Sequence, residues 1–253
     1  CIEWVRGGRM WHSADSLTVT VNNLPINSEA AIELNGQDLT VTSAFVNNGT
    51  VKLLGTEATI ALAYGNDTDS GTWEYLGDGT GSTITLKDFG SGTDYYNLIL
   101  NSSTGSQNAF NITSGLAVGG TFTLSALTVF DANARTVNAG TTAISAGEYQ
   151  ASNATQALGA VTLASGATLT GGSGTVNITG NLAVGSGMTV NAGSGAMNMT
   201  GGLAISDGGT VTGSTGTIDV AGSMSQTGGV FSAPSLLRVG GSWVTGSQAD
   251  FDA

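Results

Sequence analysis

Between residues 155 and 232 the chain repeats itself four times with a period of about 21 residues, the length of one coil in a stacked repeat, and each copy holds three short apolar pairs. The pairs are Thr155/Ala157, Val161/Leu163 and Ala167/Leu169, then Val176/Ile178, Leu182/Val184 and Met188/Val190. Met197/Met199, Leu203/Ile205 and Gly209/Val211 follow, and Ile218/Val220, Met224/Gln226 and Val230/Ser232 close the series. Pairs fall six residues apart, with Gly-rich tetrads between them. Alternate side chains of a strand share one face, so each pair buries two residues and turns the one between outward. Asn177, Asn198, Asp219 and Arg238 are the outward neighbours expected on successive coils. Gly180, Gly201 and Gly222 then mark one corner and Gly187, Gly208 and Gly229 another, since glycine tolerates φ > 0 and tight backbone approach. The pattern predicts an all-β fold, a parallel β-solenoid with three short strands per ~21-residue turn.

Such a coil cannot stand alone. Five or six buried apolar side chains contribute about 1.5–3 kcal/mol each. Ordering the backbone costs about 1–2 kcal/mol for each residue of the coil. Stacking, with shared ladders and a continuous core, closes the gap, and 10–12 coils at about 4.8 Å would form a rod of about 50–60 Å.

The composition agrees with strands and tight turns: 40 of 253 residues are Gly, two are Pro, and only 9% are charged. Six Lys and Arg stand against 18 Asp and Glu, a net charge of −12. That balance disfavours nucleic acid and anionic membrane surfaces, which need clustered cations. No run of 18 apolar residues offers a membrane span, and one cysteine excludes an internal disulfide framework.

Three sections are expected. Residues 1–16, CIEWVRGGRMWHSADS, carry Cys1, Trp4, Trp11 and the single His12, and suit a docking or anchoring segment. Cys1 at the first position fits a lipid-modified N-terminus, an intermolecular contact or a plain buried thiol. Residues 17–110 hold early coils (about two over 17–64) and then an irregular, aromatic-rich section in the N-terminal half, read as a wider part of the solenoid. Residues 111–253 are the regular solenoid. Asn111–Val118 (NITSGLAV) matches Asn177–Val184 (NITGNLAV) without a gap, a distance read as about three coils. The last coil is shortened by two residues, and Phe251 falls where Phe231 did in the coil before.

The segment GTWEYLGDGTGSTITL, then Tyr95-Tyr-Asn-Leu-Ile-Leu100, then Asn111–Gly120, resembles a bacterial surface-repeat family built on "YxNLxL" strands and "GxLxVxG" turns. Gly240–Gly246 with Phe251 is similar to the end of such a unit. The resemblance spans about two thirds of the chain and implies secreted, multi-repeat β-helical proteins of adhesin or surface-filament type. It brings no catalytic residues.

Candidate sites are few. Asp67 and Asp69 lie two apart beside Gly71 in a loop that suits Ca2+ or an ordinary Asp-rich turn. Trp73, Tyr75, Tyr95 and Tyr96 would make a stacking platform for surface glycans, or else fill a wide core. Trp243 and Phe251 would sit at the last coil as an assembly surface. A polysaccharide-active β-helix enzyme is the remote alternative, since it needs grouped carboxylates and the acids here are scattered. Ice binding would need a long Thr array, of which Thr18/Thr20 and Thr40/Thr42 are two steps.

The expectation is therefore a non-enzymatic extracellular or cell-surface structural protein. It would self-associate head to tail as a filament subunit, or serve as a stalk or adhesin repeat. Glycan binding through residues 65–110 is the alternative.

Overall fold

The computed structural model describes residues 19–90, 92–102, 105–125 and 128–252. All its regular elements are strands, all paired in parallel, and they form a solenoid of about eleven coils. Three faces run along the axis. The first carries Leu24–Ile26 and Phe45–Asn47 near one end, and Val176–Ile178, Ala196–Met199, Thr217–Val220 and Leu236–Val239 near the other. The second starts with Ala31–Glu33, Thr50–Leu53, Thr72–Tyr75 and Asn97–Leu100. It ends with Leu182–Val184, Leu203–Ile205, Met224–Gln226 and Trp243–Thr245. The third runs from Thr83–Thr85 to Asp250–Asp252 as an unbroken nine-stranded ladder. In the middle, the long strands Leu116–Leu124 and Val137–Ile144 bend from the first face onto the second, with a register shift at Gly119 and Gly120.

Leu182, Leu203 and Met224 stack directly above one another, as the repeat requires, and Trp243 continues the column. So do Val190, Val211, Phe231 and Phe251 on the third face. The core is one continuous apolar column from Leu24 to Phe231. Glycine is required where coils touch backbone to backbone. A β-carbon on Gly195 would overlap the Gly174 carbonyl, and one on Gly216 the Gly195 carbonyl, so this corner admits no side chain.

Coil length varies, and this moves two of the expected pairs. Gln156 stacks under Val176, one position short of the full repeat, so Gln156 and Leu158 point inward rather than Thr155 and Ala157. Likewise Val211 stacks under Phe231, which is buried, while Val230 is outward. Gly229 still takes the positive φ of its corner (68°), as Gly187 and Gly208 do (73° and 74°). The NITSGLAV match also needs correction. Asn111 lies on the third face and Asn177 on the first, so the two segments sit one face apart. Three coils carry Leu116 through Val137 and Gln156 to Val176, whereas the match would have carried it to Leu182.

Residues 65–110 stay within the solenoid as its widest coils. Trp73 pairs with Leu98 and Ile84 with Phe110, both spacings several positions longer than the regular repeat. The extra length lies in the loops, and the extra cross-section is filled by Trp73, Tyr75, Tyr95 and Phe110, all buried.

Candidate functional site

Two places gather the residues singled out above: the aromatic coils and the last coil. In the aromatic coils, Trp73 is set inward by the alternation of Thr72–Tyr75, between Val51 below and Leu98 above. Its ring meets Phe45, Phe89 and Tyr95 at centroid distances of 5.8, 5.1 and 6.1 Å. Its indole N–H donates to Asn66 Oδ1 (3.2 Å), and Asn66 Nδ2 donates to the Asp94 carbonyl (2.6 Å). Tyr75 and Tyr95 close a buried ring of hydrogen bonds. The Lys87 N–H donates to Tyr75 Oη (3.0 Å), Tyr75 and Tyr95 hydroxyls are 3.0 Å apart, and Tyr95 Oη donates to the Lys87 carbonyl (2.5 Å). Burial pushes both hydroxyls well above the usual tyrosine range. Trp73, Tyr75 and Tyr95 therefore fill the wide core and are closed to a glycan. Of the four expected platform residues only Tyr96 is exposed, at 37%.

The carboxylates of the Asp67/Asp69 loop are engaged by the coil below and by the loop itself. Asp67 Oδ2 accepts the Asn47 N–H (2.8 Å), its Oδ1 accepts the Asp69 N–H (3.3 Å), and Asp69 Oδ1 accepts the Ser70 hydroxyl (3.1 Å). Among the described residues, no three His, Cys, Asp or Glu side chains gather as metal ligands would. Asp78 is the anchor of another turn. The Thr80 N–H and the Asn108 amide on its Oδ1 hold its carboxyl well below the usual range.

Asp94 was not singled out by the sequence, and nothing in its surroundings there sets it apart from surface acids. It is buried at 3% exposure, with Oδ2 accepting the Ala117 N–H (2.8 Å) and Oδ1 without a well-formed hydrogen bond. Burial raises its pKa, opposed by the Ala117 and Phe89 amides, and the charge of Asp88 adds to the rise. A carboxyl raised in the folded state favours folding most below its unfolded pKa. That contribution is lost as pH rises through the folded value. The advantage of Asp94→Asn over the parent protein is thus expected to be largest at neutral pH and to shrink as pH falls toward 4. Paired urea melts at several pH values measure it, and a constant difference would contradict it.

The last coil is built differently from those beneath it. Leu236–Val239, Trp243–Thr245 and Asp250–Asp252 each pair on one side only. Met224 and Phe231, one coil below, are fully buried, whereas Trp243 and Phe251 above them are each 42% exposed and Val244 is 57% exposed. Phe231 and Phe251 stack at 5.6 Å, and Trp243 packs edge-on to Phe251 at 5.3 Å. Trp243, Thr245, Ala249 and Phe251 line a shallow depression. Beneath it, buried Gln226 donates to the Asp250 carbonyl (2.7 Å), and its Oε1 has no hydrogen-bond partner. Leu24, Ile26 and Ile32, in the first described coil, are buried. Cys1, Trp4, Trp11 and His12 lie outside the described residues.

Comparisons with protein-family models, with curated proteins and with solved structures give no match.

Proposed function

We propose that this chain is a non-catalytic structural rod of an extracellular surface assembly, extended by coil-on-coil stacking at its C-terminal layer. The observation that carries the reading is the half-exposed pair of Trp243 and Phe251, set directly above buried Met224 and Phe231 at the C-terminal mouth of the core. Three strand edges surround it, each with backbone donors and acceptors aimed along the axis. A surface of that shape is matched by another coil of the same kind. The incoming element is segment 1–16 of the next copy, with Trp4 and Trp11 as its anchors. Contacts of this head-to-tail type do not close on themselves and give open filaments. The surface-repeat and adhesin character belongs to the same reading, supported by the order of the aromatic, "YxNLxL" and Gly-turn elements.

Negative-stain microscopy and sedimentation velocity of the purified chain test it. Rods in multiples of about 50 Å, lengthening with concentration, are expected. Trp243→Asp with Phe251→Asp should leave single rods with an unchanged β spectrum. Single-length rods from the parent protein at high concentration would overturn the reading.

A further inference from the structure

Two polar features of the C-terminal end are left open. Gln226 is wholly buried, in the inward column that Val184 and Ile205 form below it, and Thr245 lies directly above. Its Nε2 donates to the Asp250 carbonyl (2.7 Å), while its Oε1 receives no donor. Other carboxamide oxygens packed against this core are supplied. Gln156 Oε1 takes the Tyr149 hydroxyl (2.6 Å), and Asn66 Oδ1 takes the Trp73 indole N–H (3.2 Å). A buried acceptor without a donor carries a desolvation cost that a donor from outside removes. Only the last coil separates Gln226 from the open end. The second feature is charge. Asp250 and Asp252 project from the last coil on either side of Phe251, both exposed, above uncharged Val230 and Ser232. The ion pairs among the described residues, Lys52 with Glu74 and Arg238 with Asp219, do not involve them.

One part of the sequence carries the matching groups. Residues 1–12 hold Arg6 and Arg9 against a single acid, Glu3, a net +1 with His12 neutral, within a chain of net −12. The same stretch brings two indole N–H donors, Trp4 and Trp11. Val19 stands about 50 Å below Asp250 along the axis. That span is close to the full extended reach of the residues before it, so the segment that docks comes from another molecule. We infer that the C-terminal coil selects its partner through these polar groups. The partner is the basic, tryptophan-bearing segment of a second copy, whose arginines pair with Asp250 and Asp252 and whose indole N–H supplies Gln226 Oε1. This rests on the end-stacking reading and adds the chemistry that chooses the partner. A coil edge that lacks the donor leaves Gln226 unpaired, which penalises wrong partners and wrong registers.

Sedimentation velocity in NaCl from about 0.15 M to about 1 M tests it. At the lower salt the Debye length is already about 8 Å, so repulsion between whole rods is screened and the remaining dependence reports groups in contact. Rods of the parent protein should shorten as salt rises, whereas repulsion alone would make them lengthen. Arg6→Gln with Arg9→Gln, and separately Asp250→Asn with Asp252→Asn, should weaken association about tenfold and flatten its salt dependence. Arg6→Asp and Arg9→Asp combined with Asp250→Arg and Asp252→Arg should restore growth, which a folding defect would not. Trp4→Phe with Trp11→Phe keeps the rings and removes the donors. It should weaken association about fivefold in the parent and leave it unchanged in a Gln226→Met background. Single-length parent rods would overturn end stacking and this inference with it. Rods that grow as well with either charged pair neutralised, or a Trp→Phe loss that is the same in both backgrounds, overturn the inference alone and leave end stacking standing.

Discussion

Trp73→Ala is expected to destabilise the protein by about 3–5 kcal/mol, the usual cost of deleting a large aromatic side chain from a packed core. Trp73 is 1% exposed and shares its coils with Phe45, Phe89 and Tyr95. Removing it opens a cavity and leaves Asn66 Oδ1 without its indole donor. In a stacked coil each layer contacts mainly its neighbours, so the loss is local before it is global. Urea unfolding followed by circular dichroism should show the aromatic coils melting ahead of the regular ones, giving two transitions where the parent shows one. A loss below about 1 kcal/mol would mean that the ring is not the core filler described above.

Glu57→Ala should come second in size. Glu57 is 2% exposed, and its carboxylate takes three backbone donors: Gly36 N–H and Leu54 N–H on Oε1 (2.9 and 2.8 Å), and Gly55 N–H on Oε2 (2.8 Å). Gly36 belongs to the coil below, so one side chain ties two layers. The three donors are partly buried, and each left unpaired costs about 1 kcal/mol, the lower end of the range for buried groups, so a total loss of about 3 kcal/mol is expected. Glu57→Gln should fall between, since one amide oxygen replaces two carboxylate oxygens and the new NH2 faces a donor. Equal stability of the Ala and Gln variants would contradict this account.

The regular coils were legible because their periodicity is a direct imprint of inward and outward alternation. Leu182, Leu203 and Met224 could be stacked from spacing alone, and they stack. A fixed repeat length fails where a corner loses a residue, because a shift of one exchanges the two faces. Gln156 shows how this hides a residue. It sits in a core column and is silent to an apolar pattern, yet all its polar atoms are satisfied. Its Nε2 donates to the Arg135 and Ala154 carbonyls (both 2.9 Å), and its Oε1 accepts the Tyr149 hydroxyl (2.6 Å). The aromatic residues were visible in the sequence, but their side was not, because long Gly and Asp loops erase the count across them. The face of a threonine run was equally hidden. Thr168/Thr170, Thr189/Asn191 and Thr210/Thr212 align on the third face, three coils long and broken by Asn191, away from the column of Asn177 and Asn198.

Hydrogen bonds between coils point along the rod, while the polypeptide itself runs around it. Tension applied to the two chain ends would therefore not load these bonds all together. It would peel the outermost coil first, breaking its bonds in succession and releasing about 70 Å of slack before the next begins to give. Such a molecule yields like an unwinding spring, by many small steps, and does not snap at a single threshold.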